Sequence, residues 1–399
     1  MTSIAGPLLD GVDDDVLHQT PFGIYVHVPF CLRRCGYCAF TTEAVPADSV
    51  RDATRAWTTA AVAELELAAR RLGDRAPTVQ TVYLGGGTPS LLHPDELATI
   101  LSTVERNLDV VEGVEISIEA NPDTIGSGTL AGFRDAGCTR VSFGYQSRSH
   151  RVLDLLDRTH DPERALASVG DARRAGFDQV SLDLISGTPG ETAEDFESSV
   201  VAALGTGVDH LSVYSLSIEP GTRLAARVRH GELSEPDPDI AADRYEFLDV
   251  TCRAAGLEWY EVSNFASDDG ARCRHNLLYW RNEHWWGVGP GAHSHIDGRR
   301  WSNHTATTTW SDDVLGGRLP VAEFERLDDT ARHVEQVMLG IRLREGLATT
   351  ELDIDANATA AQLVDDGLLD RAAADGGRLV LTLRGRLLCD RVVRSLVGA

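Results

Sequence analysis

From residue 22 onward the chain repeats one cycle: a short apolar or alternating run, a turn ending in polar residues, then a helix-length segment free of internal proline. Apolar or alternating runs fall at residues 23–28, 81–84, 114–120, 140–145, 179–185 and 210–216. Between them lie helical patterns such as 47–73, 94–107, 162–175 and 192–204. Strands alternating with helices predict parallel pairing through crossover helices, in a doubly wound sheet or a (β/α) barrel. The strand ends favour the barrel. The first ends in a cysteine loop, the second in Gly85–Thr88, the third in Glu119-Ala-Asn121-Pro122 and the fourth in Gln146-Ser147; the fifth carries Asp183 and the sixth leads to Glu219-Pro-Gly221-Thr222. Polar chemistry at the C-terminal end of every strand is the barrel pattern.

Beyond about residue 237 the pattern changes. A helix is expected at 237–255 and an extra strand at 257–262, followed by an irregular Gly-, Trp- and His-rich stretch over 264–310. Helices at 329–343 and 358–366, a strand at 378–383 and a terminal helix at 384–396 suggest a small helical domain with a β-wing. The expected organisation is an acidic N-terminal segment (1–20), a barrel (21–256), an extension (257–315) and the C-terminal domain (316–399). No internal repeat beyond the βα cycle and no low-complexity segment is present.

Composition adds bounds. With 399 residues, 42% hydrophobic and 25% charged, the chain has ample material for a core, and it has no apolar run long enough to span a bilayer. The first twenty residues, with Asp10 and Asp13-Asp14-Asp15, lack the features of a signal peptide, so a cytoplasmic location is expected. Of seven cysteines three are clustered and Cys138, Cys252, Cys273 and Cys389 are scattered, unlike a disulfide framework. A formal charge of −24 argues against nucleic acid or an anionic membrane surface as the main partner.

The cysteine loop carries the strongest chemistry. It reads Tyr25-Val-His27-Val-Pro-Phe-Cys31-Leu-Arg-Arg-Cys35-Gly-Tyr-Cys38-Ala-Phe40, with three cysteines in a C-x3-C-x2-C spacing. A structural zinc site takes four ligands and a four-cysteine iron–sulfur site four thiolates, and Phe40 stands where a fourth cysteine could follow. A [4Fe–4S] cube on three thiolates leaves one iron for a non-protein ligand; the plainer alternative is a zinc knuckle completed by a distant residue. Gly85-Gly-Gly-Thr-Pro permits close backbone approach but lacks a Walker ending, and alone would be a tight turn. Glu119, on the alternating run Glu115-Ile-Ser-Ile-Glu119, faces inward and needs a cationic or hydrogen-bonding partner. A second constellation is His275-Asn276-Leu-Leu-Tyr279-Trp280, followed by Trp285-Trp286 and Gly-Ala-His293-Ser-His295. Histidine among aromatics suits heme, and equally suits an aromatic-rich packed loop.

The cysteine spacing, with Tyr-x-His-x-Pro-Phe-Cys leading into it, resembles the radical S-adenosylmethionine (SAM) superfamily, in the branch of oxygen-independent coproporphyrinogen III oxidases and HemW heme chaperones. The resemblance runs from about Phe22 to the C-terminus. It implies an α/β fold, a six-stranded partial (β/α)6 barrel open on one side with the small C-terminal helical, winged domain. It places a [4Fe–4S] cluster on Cys31, Cys35 and Cys38. It places SAM on Gly86, Gly87, Thr88, Glu119, Gln146, Arg158 and Asp183, with Tyr25 stacking near the cluster. His-Asn-x-x-Tyr-Trp is the HemW-type motif and implies heme near His275, Tyr279, Trp280 and His293. The oxidases carry a fourth cysteine where this chain has Phe40, so the expectation is a heme chaperone; the alternative is the oxidase, decarboxylating coproporphyrinogen III in porphyrin biosynthesis. Implied partners are heme, a respiratory hemoprotein acceptor and an electron donor, without nucleic acid or stable membrane insertion, and a homodimer is left open. No catalytic residue is assigned. Gly36 and Ala39 stand where Pro and Asp are common, and Leu-Asp157-Arg158 replaces the usual Leu-Gly-Arg.

Overall fold

The computed structural model describes residues 8–398. The six expected parallel strands are present: β1 (Phe22–Val28), β2 (Val79–Gly86), β3 (Val110–Ala120), β4 (Arg140–Gln146), β5 (Gln179–Ser186) and β6 (His210–Ser215). Each is largely buried, apart from the start of β3 and the end of β6, and its alternate positions serve different purposes. Ile24 and Val26, Val82 and Leu84, Val141 and Phe143, and Leu182 and Leu184 pack into the main core. The positions between them, including Tyr25, Tyr83, Ser142 and Asp183, line a cavity on the inner face. Period-two alternation thus separates a helix-covered wall from a polar interior.

Helices α1 (Val50–Leu72), α2 (Pro94–Asn107), α3 (Ser127–Asp135), α4 (Pro162–Arg174) and α5 (Ala193–Gly205) make the crossovers. Their starts are written in the sequence. His93 with Glu96, and Thr192 with Asp195, form capping boxes, and Asp161 caps a helix that begins with proline. Helix α6 (Pro238–Ala254) then leads to the short antiparallel strands β7 (Glu258–Glu261) and β8 (Asn264–Ala266).

The stretch 264–310 is not irregular. After β8 it holds helix α7 (Arg274–Trp280), strands β9 (His284–Val288), β10 (His293–Ile296) and β11 (Arg299–Asn303), and the start of α8 (Thr307–Leu315). Strand β9 pairs parallel with β1, and β10, β11 and β12 (Val321–Arg326) continue as an antiparallel meander. One twelve-stranded sheet results, in the order β12-β11-β10-β9-β1-β2-β3-β4-β5-β6-β8-β7. Its two ends do not pair with each other, so the barrel is partial. Residues 321–326, expected in the C-terminal unit, therefore belong to this sheet. Glycines explain why the region looked irregular: a Cβ on Gly287 would lie 2.3 Å from the His293 carbonyl oxygen, and one on Gly289 2.4 Å from that of His27.

Of the N-terminal segment, residues 1–7 lie outside the described residues, while Leu8, Leu9, Val12 and Leu17 are buried in the main core. The C-terminal unit has its own core, from Val337 on α9 (Asp329–Gly340) through Leu363 on α10 (Ile354–Asp365) to Leu396 on α11 (Cys389–Val397), with a two-residue wing pair, Leu347–Ala348 with Arg378–Leu379. The expected terminal helix is broken at Leu388, whose backbone leaves the helical region (φ −113°, ψ 27°). The turn before it is held separately: Arg386 bonds Asp249 on α6 at 2.7 Å and lies over the Trp259 ring at 4.4 Å. Among the described residues no helix is long and apolar enough to cross a membrane.

Candidate functional site

The inner face of the partial barrel encloses a cavity of about 830 Å³ that runs from the cysteine loop to helix α7. Cys31, Cys35 and Cys38 line one end, each partly exposed. Cys31 Sγ accepts from the Thr88 hydroxyl at 3.5 Å and Cys35 Sγ from Arg158 Nη1 at 3.6 Å. Burial pushes the Cys31 and Cys38 thiols up from their ordinary values, so a metal would have to displace protons to bind there. Among the described residues no three Cys, His, Asp or Glu side chains close on a single-ion position. Three thiols on one loop lining the cavity are the donor set a cube would take, one thiolate to each of three irons.

The glycine loop after β2 is shaped by the cysteine loop. A Cβ on Gly86, whose φ is +108°, would strike the His27 ring, and one on Gly87 would sit 2.7 Å from the Phe30 carbonyl oxygen. Gly86 N–H donates to Glu119 at 3.2 Å, and Thr88 reaches Cys31, so this loop bridges the thiols and the acidic wall.

The other expected SAM residues share the cavity: Tyr25, Glu119, Gln146, Arg158 and Asp183 all line it. Glu119 has no ion pair among the described residues. It accepts from the Tyr83 hydroxyl at 2.8 Å and from Gly86, and its carboxyl is pushed up to about 7 by burial, with the Asp183 charge adding to the rise. Asp183 accepts from Ser142 at 2.8 Å and is likewise raised, first by burial. Gln146 holds φ +63° at a register shift between β4 and β5, an uncommon backbone for a residue with a Cβ. Tyr25 stacks with Tyr83 at 6.3 Å and with His275 at 6.4 Å, and its hydroxyl bonds His27 Nδ1 at 2.9 Å.

Helix α7 is the His-Asn-x-x-Tyr-Trp motif itself. Glu115 on β3 holds its first turn by accepting from the Arg274 and His275 backbone N–H groups at 2.9 and 3.0 Å. His275 and Tyr279, one turn apart, share a face, and His275 Nε2 meets the Tyr279 hydroxyl at 2.9 Å. His275 Nδ1 meets Thr81 Oγ1 at 2.7 Å, and burial lowers the imidazole pKa to about 3. The ring is therefore neutral with both nitrogens engaged. Of the four expected heme residues, His275 and Tyr279 line the cavity. Trp280 packs beside Leu277 and Leu343 instead, and His293 is exposed on β10.

Several cavity residues carry no motif: Tyr83, Ser117, Arg140, His210, Tyr214 and Tyr260. Tyr83, Ser117, Arg140, His210 and Tyr214 lie on β2, β3, β4 and β6, where alternation marks an inward face without singling out any residue, and Tyr260 lies on β7. Asp157 stands where glycine is usual in the family. Its φ is +57°, which explains why glycine suits that position, and its carboxylate ties Arg33 at 3.5 Å to Arg223 at 3.6 Å across the cysteine loop. A Cβ on Gly36 would lie 2.3 Å from Asp157 Oδ2, so the two departures at 36 and 157 compensate each other.

The family model of the radical SAM superfamily matches residues 25–202. The heme chaperone HemW of Mycobacterium tuberculosis (strain ATCC 25618 / H37Rv) is 51% identical over 378 residues, 95% of each chain. HemW of Bacillus subtilis (strain 168) is 30% identical over 94% of this chain and 98% of its own. Among solved structures, the coproporphyrinogen III oxidase HemN of Escherichia coli, described as a radical SAM enzyme, superposes with a TM-score of 0.80 at 23% identity, covering 94% of this chain and 90% of that one. That likeness is one of fold.

Proposed function

This chain belongs to the HemW family within the radical SAM superfamily, and from that premise we propose that it is a heme chaperone, holding a [4Fe–4S] cluster, SAM and heme and passing heme to a hemoprotein acceptor. The observation that carries the reading is the cysteine loop over a deep cavity: three thiols, and at the fourth position Phe40, 66% exposed at the rim. When bound, the cluster supplies an electron and SAM the sulfonium that accepts it.

The chain's own residues would position these groups. Cys31, Cys35 and Cys38 would hold the cluster; Gly86, Gly87 and Thr88 would face the methionine end of SAM; and Glu119, Gln146, Arg158 and Asp183 would fix the remainder. Leu32, Phe40 and Tyr214 present exposed apolar surface on the cavity lining, which suits a porphyrin face. Because His275 is hydrogen-bonded at both nitrogens, its part is to shape the inner end of the cavity, and iron ligation there would require breaking one bond. A respiratory acceptor, an electron donor and a cytoplasmic setting complete the proposal.

Glu119 provides a test of the cofactor half. Its carboxyl is raised to about 7, whereas a bound sulfonium favours the ionised form, so SAM binding should release a proton below neutrality. SAM affinity of the cluster-loaded chain, measured by calorimetry, is expected to rise by up to about tenfold per pH unit below roughly pH 7 and to level off above it. Glu119→Gln should flatten the profile and weaken binding. A wild-type affinity independent of pH, or an unchanged slope in Glu119→Gln, would contradict the assignment.

A further inference from the structure

The inner end of the cavity holds two buried side chains that each keep one donor unpartnered among the described residues. Ser117 and Arg140 are register partners on β3 and β4, so their side chains leave the sheet on the same face, and both line the cavity. Both are nearly inaccessible, at 2% and 3%. Arg140 Nη1 donates to the Ala271 carbonyl at 2.7 Å, but Arg140 Nη2 and Ser117 Oγ have no hydrogen-bond partner. Among the described residues no carboxylate lies within ion-pair distance of Arg140. Glu115, on the same strand as Ser117, is already committed to the first turn of α7. Glu115 and Asp183 answer the Arg140 charge only at a distance, so one buried N–H and one buried hydroxyl are left unpartnered, which is costly unless a ligand meets both.

Position defines the ligand further. Tyr83 is the β2 register partner of Ser117, two residues before Gly85 and four before Gly87, so the pair sits roughly 7 Å along the strands from the start of the glycine loop and roughly 13 Å from Gly87. Ser117 is two residues before Glu119 on the same strand face, so the pair lies one step deeper than the residues assigned to SAM, with α7 beneath it. One positive charge beside one hydroxyl matches a carboxylate. A phosphate dianion would carry excess charge into a chamber that already contains Glu119 and Asp183.

We propose that Arg140 and Ser117 form a carboxylate subsite at the closed end of the cavity, with Arg140 Nη2 and Ser117 Oγ donating to one carboxylate. The carboxylate is either that of a small free acid or the propionate arm of a tetrapyrrole entering edge-on. The second source rests on the heme reading above.

The test compares ferric heme with its dimethyl ester, titrated by Soret absorbance into cluster-loaded wild type, Ser117→Ala and Arg140→Gln, with thermal melts confirming folding. A charge-assisted bond of this kind should make the diacid about tenfold tighter than the ester in wild type. Arg140→Gln should bring that ratio near one, and Ser117→Ala should lower it about threefold, with ester affinity unchanged in both. A ratio near one in wild type, or one that neither variant moves, would overturn the propionate source and leave the subsite to the sodium propionate melts that follow. If wild type binds neither form, the heme reading fails, and sodium propionate then decides the subsite. A rise in wild-type melting temperature that Arg140→Gln or Ser117→Ala loses supports it; no rise in wild type removes it.

Discussion

Replacing Cys35 by alanine is expected to leave the chain with less than about a tenth of the wild-type iron and acid-labile sulfide after anaerobic reconstitution, because two thiolates cannot hold a cube that three would support. The fold should survive. Cys35 is partly exposed and packs into none of the hydrophobic clusters, and its contacts are one long bond from Arg158 and the loop backbone. Circular dichroism and melting should therefore match wild type while the charge-transfer absorption disappears. Stoichiometric zinc in wild type, with no such absorption, would instead point to a zinc-stabilised binding protein.

Glu64→Ala should be the most damaging change to stability, at about 3–5 kcal/mol by urea unfolding. Glu64 is buried on α1 and accepts from Gly289 N–H at 2.8 Å, Trp310 Nε1 at 2.7 Å and Asn303 Nδ2 at 2.6 Å. Alanine leaves three buried donors unanswered and unfastens the β9–β10 turn, which lies against the His27 carbonyl behind the cysteine loop. Burial pushes the carboxyl from 4.5 up to about 7, although the three donors act to lower it. A carboxyl with a raised folded value binds its proton more tightly folded than unfolded, so its contribution is full below the unfolded value and declines as pH rises towards the folded one. The gap between wild type and variant should thus be wider near about pH 5 than near about pH 8. A loss below about 1 kcal/mol, or a gap that widens with pH, would contradict this reading.

How much of this was legible in the sequence depended on which signals are local. The β1 to β6 cycle and its helices were readable because buried parallel strands and capped helices mark themselves within a few residues; the helix at 94–107 matched end to end. Strands β9 to β11 were not, since they are four or five residues long, carry Trp, His and Gly, and are anchored to the sheet only where β9 pairs with β1, far away in sequence. The thiols, Glu119, Asp183 and the glycine loop were visible at strand ends. Tyr83, Ser117 and Arg140 were not, because serine and tyrosine on a strand have no distinctive spacing and only the barrel turns them inward. For His275 the motif named the residue but not its surroundings: its spacing from Tyr279 is that of neighbours on one helical face, where the two side chains bond each other.

The measurement that bears most directly on the proposed chaperone role combines heme transfer and turnover in one anaerobic preparation of the cluster-loaded chain. Heme-loaded protein, mixed with an apo-hemoprotein, is expected to lose its Soret signal to the acceptor, while the same preparation with SAM and a reductant leaves coproporphyrinogen III unchanged. Decarboxylation of coproporphyrinogen III together with no uptake or transfer of heme would contradict the chaperone reading and assign this cavity to the oxidase reaction.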